Sequence, residues 1–574
     1  MKSLLKIVIA LIVLFGLFSS SLLTQEISEK EFYSNTILDS IEVTVSPNFR
    51  PWPGDTVTQS EFSADVHPQN ENIIFFSANT TSWPPDSGEI DIYSVVVYWS
   101  FDGGINWVGH DDPPYGRTGV DPAVMIDTSG NFYVNFIDTK TNGAQGIAVS
   151  FDSGANWVRD TVVAPTGVFN DKNHLMIDKS PTSPFTNRLY CGWQLLGEIH
   201  ATYSTDYGST WDSPLNINNA LPTHQAGGVN LQTAVNGNVY AAYSLYAGDG
   251  NSNEDAIGFS KSDDGGNSWT SDIIYSFPNF GIKGHLKPSQ INSNSFPSMA
   301  VDKSGGAYNG RIYICWTQKD GPPAGTDPDI VLTRSLDGGI TWVPLVRVND
   351  DPINNGMDQY FPWMTVDQAT GNVMIVFYDS RESSVNFMTG VWMAVSTDGG
   401  STWQNFKVSQ ESFLPKPITG AWSAGYQGDY IGIAALNNVA YPVWADDRTG
   451  NYQAWMSIVR FGPATSIDVP DESTPQEFVL KQNYPNPFNP STTIAFELPK
   501  ASNVEIVIYD ALGKKIKTLS NSVYKPGNNS VYWDGTNDMG QPVATGVYFY
   551  IFKVKAIDGS KELFNKSSKL LLLR

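Results

Sequence analysis

The chain has 574 residues, a formal net charge of −23 and 41% hydrophobic residues, with only 16% charged. That length predicts more than one domain, the apolar fraction excludes a wholly disordered chain, and the acidic balance argues against nucleic acid or an anionic membrane surface as partner. Abundant Gly, Trp and Tyr among short apolar runs predict an all-β protein. In chain order, residues 1–24 come first, with a basic start (MKSLLK), an apolar run over 7–18 and a small polar exit, the pattern of a secretory signal peptide. The run is shorter than the ~20 residues of a membrane span. The two cysteines, Cys191 and Cys315, lie in strand-like runs and are expected as buried free thiols.

Six segments share the pattern Ser-x-Asp-x-Gly-x-x-Trp. They begin at Ser100, Ser150, Ser204, Ser262, Ser335 and Ser396, with spacings of 50 to 73 residues. A period of this size predicts a propeller or a similar array. Asp and Ser side chains hydrogen-bond nearby backbone N–H groups, Gly takes positive φ freely, and Trp anchors the turn on the sheet. Upstream of each box runs a strand–turn–strand unit, as in PAVMIDTSGNFYVNFID, and there are seven such units. The last is followed by YQAWMSIVRF with no box after it. The segment IEVTVSP (41–47) matches the fourth strands LVRVND and NFKVSQ, so it is expected to supply the missing strand and close the ring.

These six boxes are similar to the Asp-box, or bacterial neuraminidase, repeat. Residues 41–461 therefore resemble the sialidase-like β-propeller superfamily, here with seven or alternatively six blades. The resemblance implies that each box is a turn between the third and fourth strands, away from the active face. It implies a folding role for the box aspartates. A sialidase also carries a Phe/Tyr-Arg-Ile-Pro motif, an arginine triad and a Tyr–Glu nucleophile pair. The first is absent here, and NFRPWPG near Arg50 is only an echo of it.

The opposite face gathers long loops at 109–121, 276–295, 349–360 and 409–430, and function is expected there. Acids just before each first strand, namely Glu61, Asp121, Asp171, Asp358 and Asp429, should ring the central channel. Clustered carboxylates raise one another's pKa, which suits a general acid, so Asp121, Asp358, Asp429 and the adjoining Tyr430 are the catalytic candidates. Arg381, Arg448 and Arg117 are candidate clamps for a carboxylate-bearing sugar. For Arg381 and Arg448 the alternative is a turn brace to Asp379 and Asp447. Trp422, Trp52 and Trp83 are candidate stacking platforms. The six histidines lack metal-type spacing, and no cofactor motif occurs. Only DGNSNED (249–255) suggests a loose structural calcium loop.

Residues 462–476 read as a Pro/Ser/Thr/acidic linker, and 477–574 as a small β-sandwich. NYPNPFNPSTTI and WDGTNDMGQPVATGVYFY resemble the type A C-terminal sorting domain of type IX secretion cargo, which is immunoglobulin-like. That resemblance implies a Gram-negative source, the type IX machinery as partner, contact with the outer membrane only through sorting, and a secreted or cell-surface location. The tail carries 12 Lys+Arg and 8 Asp+Glu, so the remainder carries −27 and the acidity belongs to the larger part. Three readings stand open: a propeller that binds glycan or polysaccharide without turnover, a carbohydrate-active hydrolase or lyase, and an adhesion platform.

Overall fold

The computed structural model describes residues 34–573, apart from 39–40, 54–56, 83–91, 112, 117–118, 142, 166, 220, 222, 248–252, 287–290, 419–424, 464–477, 525–526 and 557–560. Trp83, Arg117, Trp422, the signal segment and most of the 249–255 loop lie outside the described residues. The described chain is all-β, with one 3-10 turn at Thr139–Thr141.

Six four-stranded antiparallel meanders follow one another, and a seventh sheet contains both ends of this part of the chain. Their first strands are Val57–His67, Gly119–Ile126, Asp171–Ile177, His224–Thr233, Ser298–Val301, Gln359–Val366 and Gly432–Leu436. Each first strand touches the next, and the seventh touches the first, so the sheets form a closed ring with the first strands innermost. Side chains stitch neighbouring sheets together. Ser63 Oγ accepts from Val124 N (3.0 Å), His174 Nδ1 from Leu231 N (3.2 Å) and Ser298 Oγ from Met364 N (2.9 Å).

Closure follows the sequence expectation. Ile41–Val45 pairs antiparallel with Val459–Pro463, and Val43 and Val45 point into the core. Two features add to it. Ser34–Leu38 pairs outside this strand, and YQAWMSIVRF is two strands, Gln453–Met456 and Val459–Pro463, broken where Ser46 Oγ takes the Ile458 N–H (2.8 Å).

All six boxes sit in third-to-fourth-strand turns. In the third, Ser204 Oγ accepts from Gly208 N (2.9 Å) and donates to Asp206 Oδ1 (2.8 Å), while Thr210 N and its hydroxyl bind the same carboxylate. The Trp211 indole N–H returns to Gly208 O (3.1 Å). Substituting Ser204→Ala orphans the buried Gly208 N–H and should cost about 1–3 kcal/mol, read as a lower urea midpoint with unchanged m-value. Cys191 and Cys315 are buried free thiols in the third and fifth sheets. Burial raises both thiol pKa values far above the ordinary range, which keeps them inert.

The C-terminal part is a sandwich. A three-stranded sheet (Val479–Leu480, Thr492–Leu498, Gly527–Trp533) faces a four-stranded one (Lys515–Tyr524, Ser502–Asp510, Gly546–Lys555, Glu562–Leu572). Ile494, Phe496, Ile506, Trp533, Tyr550 and Phe552 fill the core between them.

Candidate functional site

The loop-face end of the first strands carries a repeated backbone irregularity. In five sheets the pairing slips by a residue, between Ser60/Ser63, Val120/Ala123, Asp171/His174, Gly227/Asn230 and Tyr360/Trp363. At each slip one residue has left-handed backbone: Glu61 (φ 53°), Asp121 (59°), Lys172 (46°), Gly228 (69°) and Phe361 (52°). Such bulges re-aim side chains, and non-glycine residues held at positive φ concentrate at functional sites. Here the bulge carries Glu61, Asp121 and Lys172 to the channel mouth.

The long loop before the seventh sheet supplies the other members, Tyr426, Asp429 and Tyr430. The Asp429 N–H donates to Glu61 Oε1 (3.1 Å), and Asn294 Nδ2 donates to Asp429 Oδ1 (3.3 Å). Asn79 bridges the first two acids, donating to Glu61 Oε2 while its Oδ1 accepts from Asp121 N (2.9 Å). The Asp121 carboxyl and the Tyr426 hydroxyl both act on the Glu61 carboxyl at close range.

Lys172 lies at the centre. It is 4% exposed, and its Nζ has no hydrogen-bond partner. The ammonium sits 3.7 Å from the Tyr430 ring centroid and 5.6 Å from that of Trp363. The charges of Asp121, Glu61, Asp429 and Asp171 all act on it. Asp171 is exposed, whereas Asp121, Asp429, Tyr426 and Trp363 are partly exposed, so solvent reaches a rim above a buried lysine.

The electrostatics separate this rim from the boxes. Burial, then the Asp171 charge, pushes the Asp121 carboxyl up to about 7 and that of Asp429 up to about 6. Burial, then Asp121 and Asp429, pushes Glu61 well above the usual carboxylate range. Burial lowers Lys172 against the pull of the acids. His174, packed against Trp363, is pushed down to about 3, in accord with an Nδ1 that accepts an N–H. The box acid Asp337 goes the other way, to about 2, because the Thr341 hydroxyl and backbone N–H stabilise its anion.

The structure thus gathers Glu61, Asp121, Asp171, Asp429 and Tyr430 at one mouth, and it places four other candidates elsewhere. Asp358 is not with them. It sits three residues before the bulge residue Phe361, outside the mouth, with Asp327, Lys319 and Asn386 as neighbours; burial, then the Asp327 charge, pushes it up to about 7 against the pull of Asn386 and Lys319. Arg381 is braced: its Nε donates to Asp379 (2.8 Å), other guanidinium nitrogens hold Asp350 and Asn405, and the group stacks on Trp392 (4.0 Å). Arg448 binds Asp446 rather than Asp447 (Nε to Oδ2, 2.7 Å) and stacks on Trp455 (4.4 Å). Both guanidinium groups are occupied by turns, so no carboxylate clamp forms from them. Trp52 packs near Tyr98 and not at the mouth. Among the described residues no set of three acid, His or Cys side chains could hold a metal ion. Glu254, within the 249–255 segment read from sequence as a loose calcium loop, turns inward to accept from Ser295 N (3.0 Å).

Comparison with known proteins adds the following. Residues 484–560 match the FlgD Ig-like domain, in keeping with the sandwich. No curated protein matches the chain. Similar solved structures include a family 25 polysaccharide lyase, an ulvan lyase (12% identity, 71% of this chain and 95% of that one, TM-score 0.40). Others are an alpha-L-arabinofuranosidase from Fusarium graminearum (12%, 71% and 98%, 0.37) and a Hadza microbial sialidase (13%, 67% and 73%, 0.36).

Proposed function

We propose that the protein is a carbohydrate-active protein whose site is the acid-rimmed mouth on the face opposite the boxes. The ring of seven sheets is then the seven-bladed propeller that carries it. The observation that supports this most is the buried Lys172 amine without a partner, set under aromatic faces and among carboxylates. Three N–H donors beside carboxylate acceptors suit sugar hydroxyls, which accept from the first and donate to the second. Trp363 and Tyr426 offer partly exposed rings for a sugar face. Asp121, pushed up to about 7, is poised to donate a proton at neutral pH, so general-acid cleavage of a glycosidic bond is within the chemistry of the site. Binding without turnover is the second reading, favoured by the occupation of Arg381 and Arg448, which removes the sialidase-type clamp. The excess of acids disfavours sialic and uronic acids, so the ligand is a neutral or cationic glycan. A glycan array followed by product analysis tests this. Shortened oligosaccharides support a hydrolase, retention without products supports a binder, and neither outcome for any glycan contradicts both.

We also propose export through the signal segment and type IX sorting through residues 477–574, which makes the protein secreted or surface-bound in a Gram-negative bacterium. Deleting 477–574 should then leave the ring part inside the cell envelope of the source organism. Unchanged surface delivery would contradict that route.

A further inference from the structure

We infer that the mouth is shaped for a glycan carrying a free amine beside a hydroxyl, a 2-amino-2-deoxy sugar that is not N-acetylated. This rests on reading the mouth as a glycan site. Two observations point to the two halves of that group. The Lys172 amine is buried without any acceptor and needs a ligand oxygen. The carboxylates around it outnumber it: the charges of Glu61, Asp121, Asp171 and Asp429 all act on this single ammonium. The most exposed of them is Asp171. It accepts one backbone N–H, from Lys172 (3.0 Å), and is otherwise open to solvent at the rim. An ammonium placed there reduces the surplus of negative charge, while the neighbouring hydroxyl oxygen reaches Lys172. Electrostatic complementarity of this kind chooses between ligands that differ by one charge. A neutral N-acetyl group leaves the surplus charge unpaired, and a uronic acid adds to it.

The test is calorimetric titration of the full mature chain with a fully deacetylated chitosan tetramer and with its fully N-acetylated counterpart. The expected result is at least tenfold tighter binding of the amine form. The protein's overall acidity also attracts a polycation, so the deciding variant is Asp171→Asn, which removes one acid of 58. The preference, read as the ratio of the two affinities, should fall below about threefold in Asp171→Asn. A preference that survives in Asp171→Asn assigns it to bulk attraction and overturns the inference. Equal affinity of both tetramers for the unmodified chain overturns it too, but leaves the glycan reading standing. Binding of neither tetramer, nor of any other glycan, overturns both.

Discussion

A mature chain lacking residues 34–47 should fail to form the closed ring. Val43 and Val45 are fully buried within the seventh sheet, and burial of two valines is worth about 3–6 kcal/mol. That is a large share of the ~5–15 kcal/mol that holds a typical domain together. Loss of the strand also bares the Val459–Pro463 edge, which invites pairing with other chains. The expected outcome is aggregation, or a urea transition at markedly lower denaturant. The point variant Val43→Asp, which buries a charge, should reproduce most of the loss. Thr44→Asp, one residue along on the alternate face, should cost no more than about 1 kcal/mol. Equal effects at positions 43 and 44 would show that the strand does not close the ring as described.

The second large effect is a gain. Asp121→Asn and Asp429→Asn should stabilise the protein at pH 8 while weakening glycan binding or turnover at least tenfold. The sign follows from the direction of the shifts. Both carboxyls have folded pKa values of about 7 and about 6, above the ordinary value near 4. Between those values the folded chain holds more protons than the unfolded one, so the site's contribution to stability falls as pH rises from about 4 to about 7. The amides mimic the protonated forms and remove that dependence. The stability difference between variant and parent should therefore be greatest above pH 7 and vanish near pH 4. Thermal unfolding across pH 4–8 measures it. A variant less stable than the parent at pH 8 would mark these acids as structural ties. Stabilisation together with loss of function is the signature of residues kept for a task.

Much of the scaffold was legible because its signals are local. The box turns depend on side chains two to four residues apart, as in Ser204–Asp206–Thr210, so a short motif reports them. The closing strand was visible because one unit lacked its fourth strand and one spare strand preceded the first. Glu61, Asp121 and Asp429 were legible as acids preceding apolar strands. Lys172 was not, because a lysine beside an aspartate reads as a solvated pair. Its placement depends on a bulge, and a non-glycine residue at positive φ leaves no mark of its own in the sequence. A partial signal did exist. The residue after the bulge position is proline at Pro122 and Pro362, and again at Pro297 in the corresponding place of the fifth sheet. Proline suits a point where the ladder needs no N–H. Counting back from the Met-Ile-Asp shared by 125–127 and 176–178 puts Lys172 in register with Asp121, and aligning on Pro362 puts Phe361 rather than Asp358 at the bulge. The arginines were ambiguous between clamp and brace for a related reason. A guanidinium two residues after a strand-end aspartate folds back on that aspartate, and the stacking on Trp392 and Trp455 comes from the neighbouring strand, beyond local sequence range.

The central claim is that the ligand of this protein binds at Lys172. The direct measurement is calorimetric titration of the oligosaccharide that a glycan array selects, against the parent chain and Lys172→Met. Methionine keeps the length and apolar stem of the side chain and removes only the charge and the donors, so the shape of the site is retained. The account predicts at least a tenfold loss of affinity in a variant that still unfolds cooperatively. Undiminished affinity in Lys172→Met would place the ligand elsewhere and contradict it.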